Sequence, residues 1–111
     1  MIREGSDPGQ SENPAAAAGS GRCVAEVVVR SPRGLHARPA TVIAERAGGF
    51  ACRVTLRHEQ REIDAKSVLH LMMLAATQGT VLQLETEGVD AAEAAATLIA
   101  YFEEGFGELD D

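Results

Sequence analysis

Alternating apolar and polar positions in four short segments of this chain predict four β-strands. In the first segment, Ala25, Val27 and Val29 fall on one face, and the other face holds Val24, Glu26 and Val28. A turn at 58–61 joins the second strand to the third, although it lacks the Asn-Gly pair typical of a tight hairpin. The four predicted strands are Cys23 to Arg30, Cys52 to Arg57, a short strand around Ile63, and Val81 to Thr86.

Two segments between these strands show the features of helices. From Ala40 to Ala47, apolar residues recur every three or four positions, and Gly48 and Gly49 supply a C-terminal stop. Ser67 is a suitable N-cap for a short helix that is apolar on nearly every side. A helix of this kind cannot bury all of its faces, so part of its apolar surface is expected to remain exposed.

A third helix is predicted near the C-terminus. Asp90 and Glu93 resemble a capping box, and the apolar stripe that follows extends to Gly105. The predicted order is strand, helix, strand, strand, helix, strand, helix. Four short strands in so small a chain favour an antiparallel sheet with all three helices on one face, which is an open-faced α+β sandwich.

Composition predicts one domain between two tails. With 111 residues, of which 45% are hydrophobic, the chain supports a single modest core. Residues 1–21 are rich in Gly, Ser, Pro and Ala without an apolar period, so we expect a disordered N-terminal tail. The domain is predicted at residues 22–105, followed by an acidic C-terminal tail at 106–111.

Charge and residue usage exclude several classes of protein. A net charge of -7, one tyrosine and no tryptophan argue against nucleic-acid binding, so protein partners are expected. Cys23 and Cys52 form no Cys-x-x-Cys motif, which predicts free thiols in a reducing compartment. The longest apolar run, at 68–76, is interrupted by His70, and residues 1–10 are polar without the apolar segment typical of a signal peptide. We expect a soluble, monomeric, cytoplasmic protein.

The segment Gly34–Ala40 carries the clearest chemical signal. If His36 is an N-cap, then Ala37, Arg38 and Pro39 occupy the first helical turn, where backbone amides have no partner within the helix. The amides of Ala37 and Arg38 and the positive end of the helix dipole then form an anion site beside the imidazole. The guanidinium of Arg38 adds a charge-assisted donor suited to phosphate.

The charge pattern around this segment favours the same ligand. No Asp or Glu occurs from Val27 to Ala44, whereas Arg30, Arg33 and Arg38 all lie within that window. A local positive field on an otherwise acidic protein favours a small dianionic group on His36 over a long polyanion.

The sequence resembles the HPr family, the histidine phosphocarriers of the bacterial phosphoenolpyruvate-dependent phosphotransferase system. The resemblance runs from about Cys23 to Glu104 and rests on three segments in register, at Pro32–Ala40, 65–67 and 78–80. It implies a sheet order of 1-4-2-3. It also implies that the protein accepts a phosphoryl group from enzyme I and passes it to enzyme IIA-type acceptors in sugar uptake, without a cofactor.

The resemblance also implies roles for individual residues. His36 would be phosphorylated on Nδ1, with Arg38 as its charge partner. Ser67 would be the regulatory serine, which a dedicated HPr kinase/phosphorylase modifies in some bacteria. The docking patch for partner proteins would consist of Ala37, Val68, Leu69 and Met72.

The chain departs from the family pattern at several positions. Glu45, Gly48 and His70 stand where some members carry basic residues, which affects how partners would be steered. Ala75 replaces a glycine that is common after the second helix. The tail before Gly21 has no counterpart in short members of the family.

Other interpretations remain open from the sequence. His36 could instead act as a general base in a hydrolase or lyase, although no carboxylate within the motif orients it. The protein could also be a regulatory module that signals its phosphorylation state and is not coupled to sugar transport. Ser67 needs no role beyond N-capping. A metal site using His36 and His70 lacks a recognisable ligand spacing, so no metal is expected.

Overall fold

The computed structural model describes residues 21–109, and the predicted order of strands and helices is confirmed. The predicted N-terminal tail lies outside the described residues, apart from Gly21, which begins the first strand. A single turn of 3-10 helix at Gly105–Gly107 follows the last α-helix. The elements are β1 Gly21–Val28, α1 Ala37–Gly48, β2 Arg53–His58, β3 Arg61–Asp64, α2 Val68–Met73, β4 Val81–Gly88 and α3 Ala91–Glu103.

The four strands form one antiparallel sheet in the order β1-β4-β2-β3, as the family resemblance implies. Val27 pairs with Leu82, and Leu84 pairs with Leu56, so apolar residues of three strands meet on one face. This face is buried, and α3 packs against β1 and β4 while α1 contacts both α2 and α3. The fold is therefore the predicted open-faced α+β sandwich.

The buried stripes of the helices are those predicted from apolar spacing. The stripe of α1 from Ala40 to Ala47 lies in the core, and in α3 Leu98 and Phe102 are almost completely buried. In contrast, only Leu71 among the six residues of α2 is buried, so most of its apolar surface faces outward. Among residues 21–109, no helix is long and apolar enough to span a bilayer.

The capping box predicted at Asp90 is wrong. Asp90 is the N-cap residue of α3, but its side chain makes no capping hydrogen bond. Its carboxylate accepts hydrogen bonds from the amides of Ala51 (2.8 Å) and Cys52 (2.9 Å) instead. These bonds, that of Ala51 foremost, hold the pKa of Asp90 below its usual value. The side chain therefore joins the start of α3 to the chain entering β2.

The C-terminal segment is packed against α3. Gly105, Phe106 and Gly107 all have positive φ angles of 60–74°, which reverse the direction of the chain. The centre of the Phe106 ring lies 5.1 Å from that of Tyr101, and Gly105, Phe106 and Tyr101 are all buried. Residues 106–108, assigned to a tail from their composition, thus belong to the packed structure, and Glu108 is buried as well.

Ala75 lies just beyond the C-cap of α2 and has a φ of 51°, a left-handed conformation that a Cβ disfavours. Its amide donates to the carbonyl of Met72 at 3.2 Å, and the residue is exposed. The glycine that the family resemblance leads one to expect here would adopt this conformation without steric cost.

We expect Ala75→Gly to raise the free energy of unfolding by about 0.5–1 kcal/mol, because it relieves this strain without removing packing. Urea denaturation measures the change. The matched control is Ala96→Gly, an exposed position within α3, which should lower the free energy of unfolding by about 1 kcal/mol. A loss of stability in the Ala75 variant would contradict the assignment of strain.

Candidate functional site

A tight turn positions the segment that precedes α1. The amide of Gly34 donates to the carbonyl of Ser31 at 3.0 Å, and the amide of Leu35 donates to the carbonyl of Ala76 at 2.9 Å. Gly34 has a φ of 72°, and a Cβ at this position would lie 2.7 Å from the carbonyl oxygen of Ala76. Glycine is therefore required here both by the backbone conformation and by the close approach of the chain after α2.

His36 is the N-cap residue of α1, as the motif predicts. Its backbone is extended, its carbonyl accepts from the amide of Ala40 at 3.0 Å, and its side chain makes no capping hydrogen bond. Within residues 21–109, the amides of Ala37 and Arg38 have no hydrogen-bond acceptor. The side chain of His36 is 30% exposed. An accessible imidazole thus lies at a helix N-terminus whose first amides are available to an anion.

A buried carboxylate near the C-terminus forms a hydrogen bond with the imidazole of His36. The Nε2 atom of His36 lies 2.8 Å from Oε2 and 3.1 Å from Oε1 of Glu108, whose side chain is only 7% exposed. The hydroxyl of Ser31 donates a short hydrogen bond to Oε1 of the same carboxylate. That bond, together with the hydrogen bond and charge of His36 and the charge of Arg33, holds the pKa of Glu108 below its usual value despite its burial.

The contact with Glu108 distinguishes the two ring nitrogens of His36. An ionised carboxylate only accepts hydrogen bonds, so Nε2 must carry the hydrogen. In the neutral ring, Nδ1 then holds the free lone pair, and no hydrogen bond to Nδ1 occurs among residues 21–109. Nδ1 is therefore the nitrogen available for attack on an electrophile.

Sequence reasoning missed Glu108 and Ser31 as members of this site. The window from Val27 to Ala44 lacks acidic residues in sequence, but Glu108 brings a carboxylate to it in space. The sequence motif itself contains no carboxylate that could orient His36, and Glu108 supplies one from outside the motif. No local signal could have revealed the contact, because 72 residues separate the two partners along the chain.

The three arginines of the window have different surroundings. The guanidinium of Arg30 donates to the carbonyl of Glu103, while the charge of Arg33 acts on Glu108. Arg38 is exposed, and its guanidinium has no ion-pair or hydrogen-bond partner among residues 21–109. It is therefore available to an incoming anion, although no contact holds it against His36.

The predicted regulatory and docking residues lie at the start of α2 and along its outer face. Ser67 caps α2, since its hydroxyl accepts from the amide of His70 at 3.2 Å. Leu69 is 77% exposed and Met72 is also exposed, whereas Val68 is half-buried. Ala37 is exposed at the start of α1, which packs against α2. The predicted patch thus presents apolar atoms to solvent.

Comparison with known proteins shows which family has this arrangement. A family model described as the PTS HPr component phosphorylation site matches residues 24–104. The chain belongs to the HPr family. Phosphocarrier protein HPr from Cupriavidus necator is 43% identical over 75 residues, covering 68% of this chain and 84% of the relative. Phosphocarrier protein NPr from Proteus mirabilis is 41% identical over 83 residues, covering 74% of this chain and 92% of the relative.

A solved HPr structure shows the same fold. HPr-C-His from Thermoanaerobacter tengcongensis superposes with a TM-score of 0.75 at 32% identity, covering 78% of this chain and 97% of that one. The family model ends at residue 104, so the part of the chain that it matches includes the histidine motif but not Glu108.

We expect Glu108→Gln to lower the free energy of unfolding by about 1–2 kcal/mol at neutral pH, because a buried charged acceptor is lost. The folded-state pKa of Glu108 is depressed, so its contribution is complete above the pKa of an unfolded glutamate and disappears as pH falls through the folded value. The difference between wild type and variant should therefore shrink in acid.

Urea denaturation between pH 7 and pH 3 measures this difference. Glu104→Gln removes the same charge from an exposed position in the same segment and serves as the control, with little expected change. A difference that stays constant or grows in acid would contradict the ionised, hydrogen-bonded state of Glu108.

Proposed function

We propose that this protein is a phosphoryl carrier in which Nδ1 of His36 accepts a phosphoryl group from phospho-enzyme I and passes it to an enzyme IIA-type acceptor. The observation that carries the proposal is that the two ring nitrogens of His36, at the start of α1, have different surroundings. Its Nε2 is bound to Glu108, while Nδ1 of this partly exposed ring and the two neighbouring amides have no partner among residues 21–109.

Phosphoryl transfer requires little of the protein beyond positioning and charge balance. The Nδ1 lone pair forms a bond to phosphorus as the bond to the donor breaks, and the bonding electrons remain with the donor. The amides of Ala37 and Arg38, with the guanidinium of Arg38, stabilise the phosphoryl oxygens. Because the site is exposed, a second protein can approach the phosphorus in line, which suits a stoichiometric carrier acting in the cytoplasm.

The proposal extends to partner recognition. Enzyme I and enzyme IIA-type domains would bind in turn to the docking patch formed by Ala37, Val68, Leu69 and Met72. Ser67 caps the helix that carries most of this patch. A phosphate placed on Ser67 would be tolerated by the helix dipole, but its charge beside an apolar patch would oppose docking.

Incubation with purified enzyme I and labelled phosphoenolpyruvate tests the carrier function. We expect one acid-labile phosphate per wild-type molecule and none on His36→Ala, because the nucleophile is lost. His58→Ala is the matched control, since His58 lies at the end of β2, and it should be labelled like wild type. Labelling of the His36 variant would reject the site.

The same phosphoprotein distinguishes transport from a purely regulatory role. Mixed with enzyme IIA domains that serve sugar uptake, it should lose its label to at least one of them. Retention of the label with every sugar-specific acceptor would instead favour the regulatory alternative, in which the His36 chemistry is kept without coupling to transport.

Truncation of one exposed side chain tests the docking patch. We expect Leu69→Ala to raise the KM of enzyme I for this protein roughly tenfold without changing kcat, since such a loss corresponds to about 1.4 kcal/mol of binding. Steady-state phosphorylation measures both parameters. Val89→Ala is the matched control, because Val89 is 74% exposed and follows the far end of β4. An unchanged KM for Leu69→Ala would remove this residue from the interface.

A further inference from the structure

We infer that Glu108, held by Ser31, is a positioning residue that fixes Nδ1 of His36 as the nucleophile and keeps a hydrogen on Nε2 throughout phosphoryl transfer. The inference rests on the proposed function of His36 and adds the segment after α3 to the functional site. This segment lies beyond residues 24–104, the part of the chain that the family model matches.

The fold anchors the carboxylate before any partner binds. The three positive φ angles at Gly105–Gly107 turn the chain back after α3, and Phe106 packs edge-on against Phe102 at 5.2 Å. Ser31, which is fully buried, donates to one oxygen of Glu108. The geometry of the ring contact is thus imposed by the core and by a second hydrogen bond, which distinguishes it from an exposed ion pair.

The charge balance of the reaction explains why a carboxylate is useful at this position. Attack by the neutral ring through Nδ1 produces a phosphoimidazolium that still carries the hydrogen on Nε2, so the ring gains one positive charge. The negative charge of Glu108 is already in hydrogen-bond contact with that edge of the ring. When the bond between Nδ1 and phosphorus breaks, its electrons return to Nδ1, and no proton has to enter or leave.

A purely structural role for Glu108 makes a different prediction. If the carboxylate only ties the C-terminal segment to the turn at Ser31, its loss should lower stability without changing the hydrogen position on the ring. A positioning role requires that removal of the whole carboxamide or carboxylate group, as in Glu108→Ala, changes both the tautomer and the rate of phosphorylation. The nitrogen chemical shifts of the His36 ring separate these possibilities, because they report directly which nitrogen carries the hydrogen.

The experiment combines ¹⁵N NMR of the ring with the rate of phosphorylation by enzyme I. For wild type and for the control Glu104→Ala, which removes an exposed carboxylate, we expect the Nε2–H tautomer and equal rates. For Glu108→Ala we expect a mixture of tautomers and a rate roughly 10–100-fold lower, by analogy with the loss of a carboxylate that orients a metal-binding histidine. Glu108→Gln retains an acceptor without the charge, so it should restore the tautomer more fully than the rate.

Two results would overturn the inference. One is a wild-type ring with its hydrogen on Nδ1, and the other is a folded Glu108→Ala protein with the tautomer and rate of wild type. If Glu108→Ala does not fold, Ser31→Ala and Glu108→Gln replace it, and unchanged tautomer and rate in both would be equally contradictory. Failure of wild type to be phosphorylated would refute the proposed function, whereas the tautomer would still decide the role of Glu108.

Discussion

The hydrogen bond between Nε2 of His36 and the buried carboxylate of Glu108 gives the two nitrogens of one ring separate tasks. Glu108 binds one nitrogen, whereas the other nitrogen and the first amides of α1 have no partner in the described part of the chain, residues 21–109. An imidazole without this contact would exchange tautomers and turn about its side-chain bonds. The contact therefore gives a partly exposed histidine a defined orientation for nucleophilic attack.

The rest of the fold positions the two residues that make this contact, His36 and Glu108. The side of His36 depends on the turn at 31–34, in which Gly34 permits close approach to Ala76. The side of Glu108 depends on α3, which packs on β1 and β4 and directs the chain back through Phe106. The sheet order places β1 beside β4. The turn that carries His36 follows β1, and the helix that leads to Glu108 packs on both strands. Residues distant in sequence are thereby brought together without a deep cleft.

Local patterns predicted most of this fold, because amphipathic spacing reflects which face of each element is buried. Such patterns and the motif itself predict the strands around Val27 and Leu84 and the helix that His36 precedes as N-cap. The capping box predicted at Asp90 is wrong because the carboxylate accepts from two amides just before β2, which are distant in sequence, and makes no capping bond in its own helix. Tertiary contacts decide such cases, and one sequence alone does not reveal them.

The candidate site was predictable only in part, for a similar reason. The histidine, its helix start and the arginine after it are adjacent in sequence, so their geometry follows from helix capping. Glu108 lies in a segment whose composition is typical of an acidic tail, and its burial depends on packing by Phe106, whose backbone conformation is rare for a residue other than glycine. Neither property is visible in residue spacing.

The bond between phosphorus and one ring nitrogen is the most direct measure of the account. After reaction with enzyme I and phosphoenolpyruvate, protein labelled with ¹⁵N in histidine should show a ³¹P–¹⁵N coupling at Nδ1 of His36. A coupling at Nε2, or phosphorus bonded to any other residue while His36 stays unmodified, would contradict it.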